Sequence, residues 1–471
     1  MSNNCQIPTP IEYVKMMLDY AGYKNRLYGK RVLENSCGEG NILCEIVKRY
    51  IEDAIDLGYT KTAIKLGLER DIEAYEIDKK KIEVCINNLN SILKVYAVDE
   101  IKWNIHSSDY LKSRIKKYSY IIGNPPYITY HDMEEEQRIY LNSRYKSCKK
   151  GRFDYCYAFI EKSLKSLEQD GILVYLVPHS IIKNKFGYEL RKIIQSYILE
   201  IYDYSGIKVF PEAITSSIIM VCKNGNNGND IQHFFIKDNV KKTYNRYELN
   251  DRWLIEEEEG KERCFGDYFE VYNSVATLLN EAFLLEKYEE NQHYILANGC
   301  KIEKEIIYPA ISTKSINSNK KNKKNKLLII FPYNYKNGKI EHFDTEEFQR
   351  KFPGASMYLK KYFDKLNKRK KDQNAKWFEY GRSQALNRVF GRKLVLPMVI
   401  TKRVNINYGE RKAIPYAGYF IKCRNDSELQ LKDAKKILES KEFFEYVVKR
   451  GTPTTTTSYR ISVNDIKEYK F

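Results

Sequence analysis

The chain has little of what builds metal centres, disulfide frameworks or membrane spans. Its six histidines form no His-Glu-x-x-His pair, and its ten cysteines include no Cys-x-x-Cys spacing. Neither a zinc site nor a disulfide scaffold is expected, no metal-binding residue is nominated, and a reducing cytoplasm suits such a chain. The longest apolar stretch, around Ile172 to Val177, is far shorter than the roughly 20 residues a membrane-spanning helix needs. No signal-peptide pattern precedes Thr9, so a cytoplasmic, membrane-free protein is expected. No internal repeat is evident. Cations are in surplus instead: 80 Lys and Arg stand against 62 Asp and Glu in 471 residues, a formal charge of +18. That surplus suits a polyanionic partner. The Lys-, Tyr-, Asn- and Ile-rich usage of an AT-rich genome would give the same balance. The length allows two or three domains.

The most informative stretch is Tyr120-Ile-Ile-Gly-Asn-Pro-Pro-Tyr127. A β-prone run ends at Gly123 and leads into a stiff loop. Two prolines fix φ and lack N–H groups, so Pro125 presents a carbonyl that nothing local need occupy. Asn124 adds an amide oxygen and Tyr127 a flat ring. Two acceptors and a stacking face suit a planar group bearing an NH2, such as adenine; the alternative is a proline-rich turn after a strand. Upstream, Arg31-Val-Leu-Glu-Asn-Ser-Cys-Gly-Glu-Gly-Asn-Ile-Leu43 reads as strand, turn and helix, with Gly38 and Gly40 allowing close backbone approach to a ligand. Ile72-Glu-Ala-Tyr-Glu-Ile-Asp78 is a strand ending in acids, and Asp109 stands at a third strand end. Glu76 comes late for a ribose-binding acid, and residues 53–69 read as an insertion that explains the delay. Strands alternating with helices over residues 1–223 predict a doubly wound α/β sheet, with these polar residues along its carboxyl edge.

In order and spacing these motifs resemble the gamma-class (Taq-like) DNA adenine-N6 methyltransferases with a C-terminal target-recognition domain. The resemblance covers about residues 6–223 and implies a Rossmann-like methyltransferase sheet that uses S-adenosyl-L-methionine. It implies a cofactor pocket of Thr9, Glu34, Gly38, Gly40, Glu76, Asp78, Asp109 and Phe159, with Glu76 and Asp78 both open for the ribose. It assigns catalysis to Asn124, Pro125 and Tyr127, and stacking of a flipped target base to Tyr127 and Phe210, the latter within Lys208-Val-Phe-Pro-Glu-Ala-Ile-Thr-Ser-Ser-Ile-Ile-Met220. One departure is that Asn35, not proline, follows Glu34. The implied partners are double-stranded DNA and a possible separate restriction endonuclease. An RNA or protein-glutamine N-methyltransferase, or a non-catalytic DNA-binding relic, are the alternatives.

The turn-rich Asn224-Gly-Asn-Asn-Gly-Asn229 predicts a joint, giving a methyltransferase domain over 1–225 and a mixed α+β specificity domain over 230–471. In the second half, Trp377-Phe-Glu-Tyr-Gly-Arg-Ser-Gln-Ala385 presents Arg382 and Gln384, side chains of the types that read guanine and adenine edges. Lys323 and Lys324 in a basic polar run suit phosphate contact or, equally, a solvated turn; Arg460 in a hydroxyl-rich stretch suits phosphate contact, the alternative being a thread of capped turns.

Overall fold

In the computed structural model the described residues are 8–210, 216–225, 228–249, 253, 262–314, 326–455 and 457–471. The chain divides into two compact units, residues 1–256 with 452–457, and residues 257–451 with 458–471.

The first unit is built on a nine-stranded sheet. Its strands are β1 Val32–Glu34, β2 Ile72–Glu76, β3 Asn104–Ser107, β4 Tyr118–Gly123, β5 Leu167–Pro178, β6 Ile198–Asp203, β7 Ser217–Lys223, β8 Asp230–Phe235 and β9 Val240–Asn245, in the order β3-β2-β1-β4-β5-β7-β6-β8-β9. Its helices include α1 Ile11–Tyr20, α2 Asn41–Asp56, α3 Lys61–Asp71, α4 Lys79–Val95, α5 Glu135–Arg144 and α6 Cys156–Lys165. Successive side chains of a strand point to opposite faces, and here both faces are covered. Val32, Ile122 and Val174 join one core with Met17, Ile46 and Leu89, whereas Leu33, Ile121 and Leu173 join the other with Phe159 and Ile160. Each such fully buried aliphatic contributes about 1.5–3 kcal/mol. Parallel pairing of β1 with β2 and β4, β2 with β3, and β4 with β5 brings five carboxyl ends to one edge.

Three departures from the sequence reading have physical causes. The boundary falls after Glu256, not at 225, because β8 pairs in parallel with β6 and β9 returns antiparallel to β8. That hairpin satisfies the open N–H and C=O groups of β6, so the glycine-asparagine stretch is a connection within the sheet. The insertion before β2 is partly a helix, α3, whose N-cap Thr60 accepts from the Ala63 N–H at 3.2 Å. Residues 155–169 read in sequence as one helix, but α6 stops at Lys165 because the chain enters strand β5 at Leu167 and pairs with β4.

The second unit is α+β. Phe269–Asn273, Tyr419–Cys423, Lys393–Leu396 and Asn407–Gly409 form an antiparallel sheet, and Leu284–Leu285, Leu328–Ile330, Ile307–Ile311 and Ile414–Pro415 form a mixed one. Helices Leu431–Leu438 and Lys441–Arg450 pack Ala434, Leu438, Phe443 and Val447 into one of its cores.

A buried polar knot ties the ends of β5, β6 and β8. Asp203 takes the Ser205 N–H at 2.8 Å and lies 3.1 Å from His179 Nε2 and 3.4 Å from His233 Nε2. Burial pushes the Asp203 carboxyl up, but the two imidazoles and the N–H outweigh it and hold it well below the usual carboxylate range. Burial lowers the His179 imidazole below its ordinary value despite the carboxylate. Both shifts make acid destabilising. As pH falls below about 6.5 the unfolded His179 takes a proton that the folded one refuses, and below about 4 the unfolded Asp203 does the same. Calorimetric melting of this unit should therefore show two successive acid losses, and His179→Gln should remove the first.

Candidate active site

Four peptide segments meet at the carboxyl edge through side-chain hydrogen bonds. The loop after β4 places Asn124 half-buried and Pro125 buried. The Asn124 amide donates through Nδ2 to Thr9 Oγ1 at 3.2 Å, and its backbone carbonyl accepts from Ser36 Oγ at 3.1 Å. Thr9, itself 4% exposed, accepts at its carbonyl from Asn41 Nδ2 at 3.2 Å, at the first turn of α2. One threonine thus joins the loop after β4 to the loop after β1. With Nδ2 engaged, Asn124 Oδ1 is a buried acceptor with no partner among the described residues. Tyr127 donates its phenolic O–H to the Leu176 carbonyl of β5 at 2.9 Å, and burial holds that phenol well above its ordinary pKa, so it stays a donor.

The glycine turn is shaped by Glu76. This carboxylate, 3% exposed at the end of β2, accepts from the Gly38 N–H at 3.0 Å and from the Ile77 and Asp78 N–H groups at 2.8 and 2.9 Å. Gly40 has φ 91° and caps α2, and a Cβ there would lie 2.6 Å from Cys85 Sγ. A Cβ on Gly38, at φ 53°, would point into open space. Glu34, 2% exposed, keeps Oε2 without a partner among the described residues. Burial first, then the neighbouring Cys85 thiol and Glu76 carboxyl, push its carboxyl well above the usual range.

A second group forms where β3 ends. Asp109 accepts from the Leu111 N–H at 2.9 Å, and the Tyr110 ring beside it lies 5.7 Å from Phe159 of α6. Lys162, one turn along α6, donates to the Tyr110 carbonyl and to Ser113 O at 2.7 Å, stapling this turn; burial pulls its amine down to about 8.

Other nominated residues lie elsewhere or are engaged. Asp78 is exposed and accepts from the Lys80 N–H at 2.9 Å as the N-cap of α4, so of the two acids only Glu76 reaches the glycine turn. Phe210 is 2% exposed and shares an apolar cluster with Tyr127, so its ring offers no open stacking face in this conformation. In the second unit Arg382 is bound to Asp372 at 2.7 Å, whose other oxygen takes the Ser383 N–H at 2.9 Å, and Gln384 donates to the Ser274 carbonyl at 2.7 Å. Both supposed readers close their own turn. Arg460 is exposed on the strand Ser458–Arg460; Lys323 and Lys324 lie outside the described residues. Among the described residues no group of three or more His, Cys, Asp or Glu is arranged to hold a metal.

The sequence reading gave no role to Asn35, which it met only as a departure from the motif, and none to Ser36 or Asn41. Asn35 is buried, donates to Ser163 Oγ at 2.9 Å and to Tyr175 O–H, and keeps Oδ1 unpaired among the described residues. For Asn35 and Ser36 the available signal was a polar pair directly after a fully buried strand and just ahead of Gly38.

Residues 24–210 match the model of the Eco57I restriction-modification methylase family. The Type II restriction enzyme and methyltransferase RM.Eco57I of Escherichia coli is 25% identical over 312 residues, 57% of this chain and 31% of that protein. The Type II methyltransferase M.BstVI of Geobacillus stearothermophilus is 23% identical over 422 residues, 78% of this chain and 72% of that one. The chain thus spans from about a third to about seven tenths of the length of these two relatives. Among solved structures, the Type IIL restriction-modification enzyme MmeI in complex with DNA superposes with a TM-score of 0.61 at 13% identity, covering 98% of this chain and 66% of that one. That likeness shows a shared fold.

Proposed function

We propose that the protein is an S-adenosylmethionine-dependent DNA adenine-N6 methyltransferase, acting as the modification component of a restriction-modification system. The observation that carries this is Asn124 Oδ1, a buried acceptor left unpaired beside the Pro125 carbonyl, in a loop tied through Thr9 to the glycine turn. S-adenosylmethionine, when bound, supplies an electrophilic methyl group. The described residues fit that cofactor: Glu34 retains an unpaired oxygen, Gly38 opens onto free space, and Gly40 starts a helix whose N-terminal N–H groups favour an anion. Glu34, Gly38, Gly40, Glu76, Asp109 and Phe159 would hold it, with Thr9 positioning the edge of the pocket.

The chain's own contribution is placement and polarisation. An adenine exocyclic nitrogen is a poor nucleophile because its lone pair is delocalised into the ring. Asn124 Oδ1 and the Pro125 carbonyl accept its two hydrogens and draw the nitrogen toward tetrahedral geometry, freeing the lone pair for in-line attack. Both acceptors are neutral, so they stabilise the positive charge that develops on nitrogen without needing a strong base. The target base must leave the duplex stack, and Tyr127, anchored on Leu176, supplies a ring to receive it.

With radiolabelled S-adenosylmethionine and duplex DNA of random sequence, wild-type protein should yield N6-methyladenine on nucleoside digestion. Asn124→Ala should lose about 100- to 1,000-fold in rate, the cost of one preorganised polar group. Labelled RNA or protein beside unlabelled DNA would move the substrate assignment, and transfer to cytosine would reject adenine.

Glu34 gives a second test. Its folded pKa is raised, so its share of stability is full below the unfolded value of about 4.3 and is lost as pH rises above it. Glu34→Gln mimics the protonated form. It should leave melting unchanged near pH 4 and raise it at pH 8, by about 2–4 °C per kcal/mol recovered. It should also weaken S-adenosylmethionine binding by calorimetry.

A further inference from the structure

We infer that the cationic segment Arg144–Arg152 is a docking strip for the phosphate backbone of duplex DNA, which holds the substrate beside the catalytic loop. The inference rests on the proposed DNA reading and names where that substrate is gripped. In Arg144-Tyr-Lys-Ser-Cys-Lys-Lys-Gly-Arg152, five of nine residues are cations and none is an acid. The Arg144, Lys146, Lys149, Lys150 and Arg152 side chains are all exposed, whereas Tyr145, Ser147 and Cys148 between them are buried. This alternation points the charges outward from an anchored backbone.

The anchoring is extensive. The Ser147 N–H donates to the buried Glu161 carboxylate at 2.8 Å, Tyr145 donates its O–H to the Leu111 carbonyl at 2.9 Å, and Asn142 Nδ2 holds the Cys148 carbonyl at 3.0 Å. Gly151 adopts φ 74° with the Phe186 ring against it; a Cβ there would lie 2.1 Å from that ring. A side chain there would strain the backbone and push the Phe186 ring aside. Three residues beyond Arg152, the Tyr155 N–H donates to the Ile128 carbonyl at 2.9 Å, and Ile128 follows Tyr127 directly. The strip therefore ends three residues before a segment that is hydrogen-bonded to the flank of the catalytic loop.

The charges are largely unneutralised; Lys149 Nζ reaches the Ser143 carbonyl at 3.4 Å, an uncharged partner. Arg144, Lys146 and Arg152 have no ion-pair partner among the described residues, and Lys150 meets Glu189 only at 3.7 Å with 81% of its side chain exposed. A pair so exposed contributes little. A rigid, unneutralised row of cations beside a loop that must receive a base from a polyanion is suited to phosphodiesters, each contact releasing condensed counterions. Phosphate contacts position a duplex without reading its sequence.

The test is DNA binding and methylation by the full chain carrying Lys146→Ala, Lys149→Ala and Arg152→Ala together, across 50–200 mM salt. The slope of log affinity against log salt should flatten by about 2–3, near 0.9 for each lost contact. The KM for DNA should rise about tenfold or more, kcat should change less than twofold, and the methylated sequence should stay the same. A Lys146→Arg, Lys149→Arg variant should keep the wild-type slope, and calorimetric S-adenosylmethionine binding reports that the triple variant is folded. Replacing Lys61, Lys94 and Lys102, which are also exposed, by alanine should leave the slope unaltered. An unchanged slope in the folded strip variant, a loss equal to that of the Lys61, Lys94 and Lys102 variant, or a loss confined to RNA would each overturn the inference. Wild-type protein that methylates no DNA would instead fail the proposed function and leave the strip without its substrate.

Discussion

The Thr9–Asn124 hydrogen bond is the contact on which the site depends, because it engages one end of a symmetric-looking amide and leaves the other free. A carboxamide offers two donors and an acceptor of similar shape. With the N–H side on Thr9 Oγ1, the buried oxygen is the end left unpaired, and in a carboxamide it is the oxygen that can accept from an amine. Thr9 in turn is held from behind, its carbonyl taking Asn41 Nδ2, while Ser36 grips the Asn124 backbone. The polarity of one side chain is thereby set by segments more than 80 residues away in sequence. Strand order is what makes this possible: β1 and β4 are neighbours, so the loops that follow them must meet.

The same site is where the fold gives up stability. Asn124 Oδ1, Asn35 Oδ1 and Glu34 Oε2 are all buried without partners among the described residues. Each such group costs about 1–3 kcal/mol if nothing meets it. Glu34 shows how the fold limits that cost: its carboxyl is pushed toward the neutral form, which avoids a buried charge beside Glu76. Glu76 follows the opposite strategy, spending its oxygens on three backbone N–H groups. Two acids at adjacent strand ends thus take different tasks, one shaping the loop and the other held in reserve. A fold selected for stability alone would place apolar groups at Glu34 and Asn35.

Much of this was legible in the sequence because strand ends in a parallel sheet leave a local mark. A buried apolar run followed by Gly, Asn, Pro or an acid states both the strand and its edge, and β1, β2 and β4 all carry that mark. Partners across the sheet leave no such trace, which is why Ser36 and Asn41 went unnoticed and why Glu76 could not be separated from Asp78. The β8–β9 hairpin was hidden for a related reason. Asn224–Asn229 has the composition of a joint, and composition cannot say whether the next strand returns to the same sheet. Phe210 reads as a stacking residue by its place in a motif, yet its burial depends on a cluster assembled from α1, β5 and β7.

Arg382 and Gln384 show the limit of reading chemistry from residue type. A guanidinium and an amide in a turn have the donors to read bases, but the same donors close turns. Asp372 takes the Arg382 guanidinium and the Ser383 N–H, and the neighbouring Ala385 sits at φ 60°, a conformation that needs support. A half-buried arginine, Arg369, reinforces the stretch by donating to the Thr277, Trp377 and Glu379 carbonyls. The Trp-Phe-Glu-Tyr-Gly-Arg segment is thus held by its own polar groups, with Phe378 and Tyr380 in the core beneath it. For Arg382 to read a base it would have to leave Asp372 and release the turn it helps to close. Arg382 and Gln384 are thereby committed to architecture, and the proposed contact with DNA falls to cations that the fold does not already use.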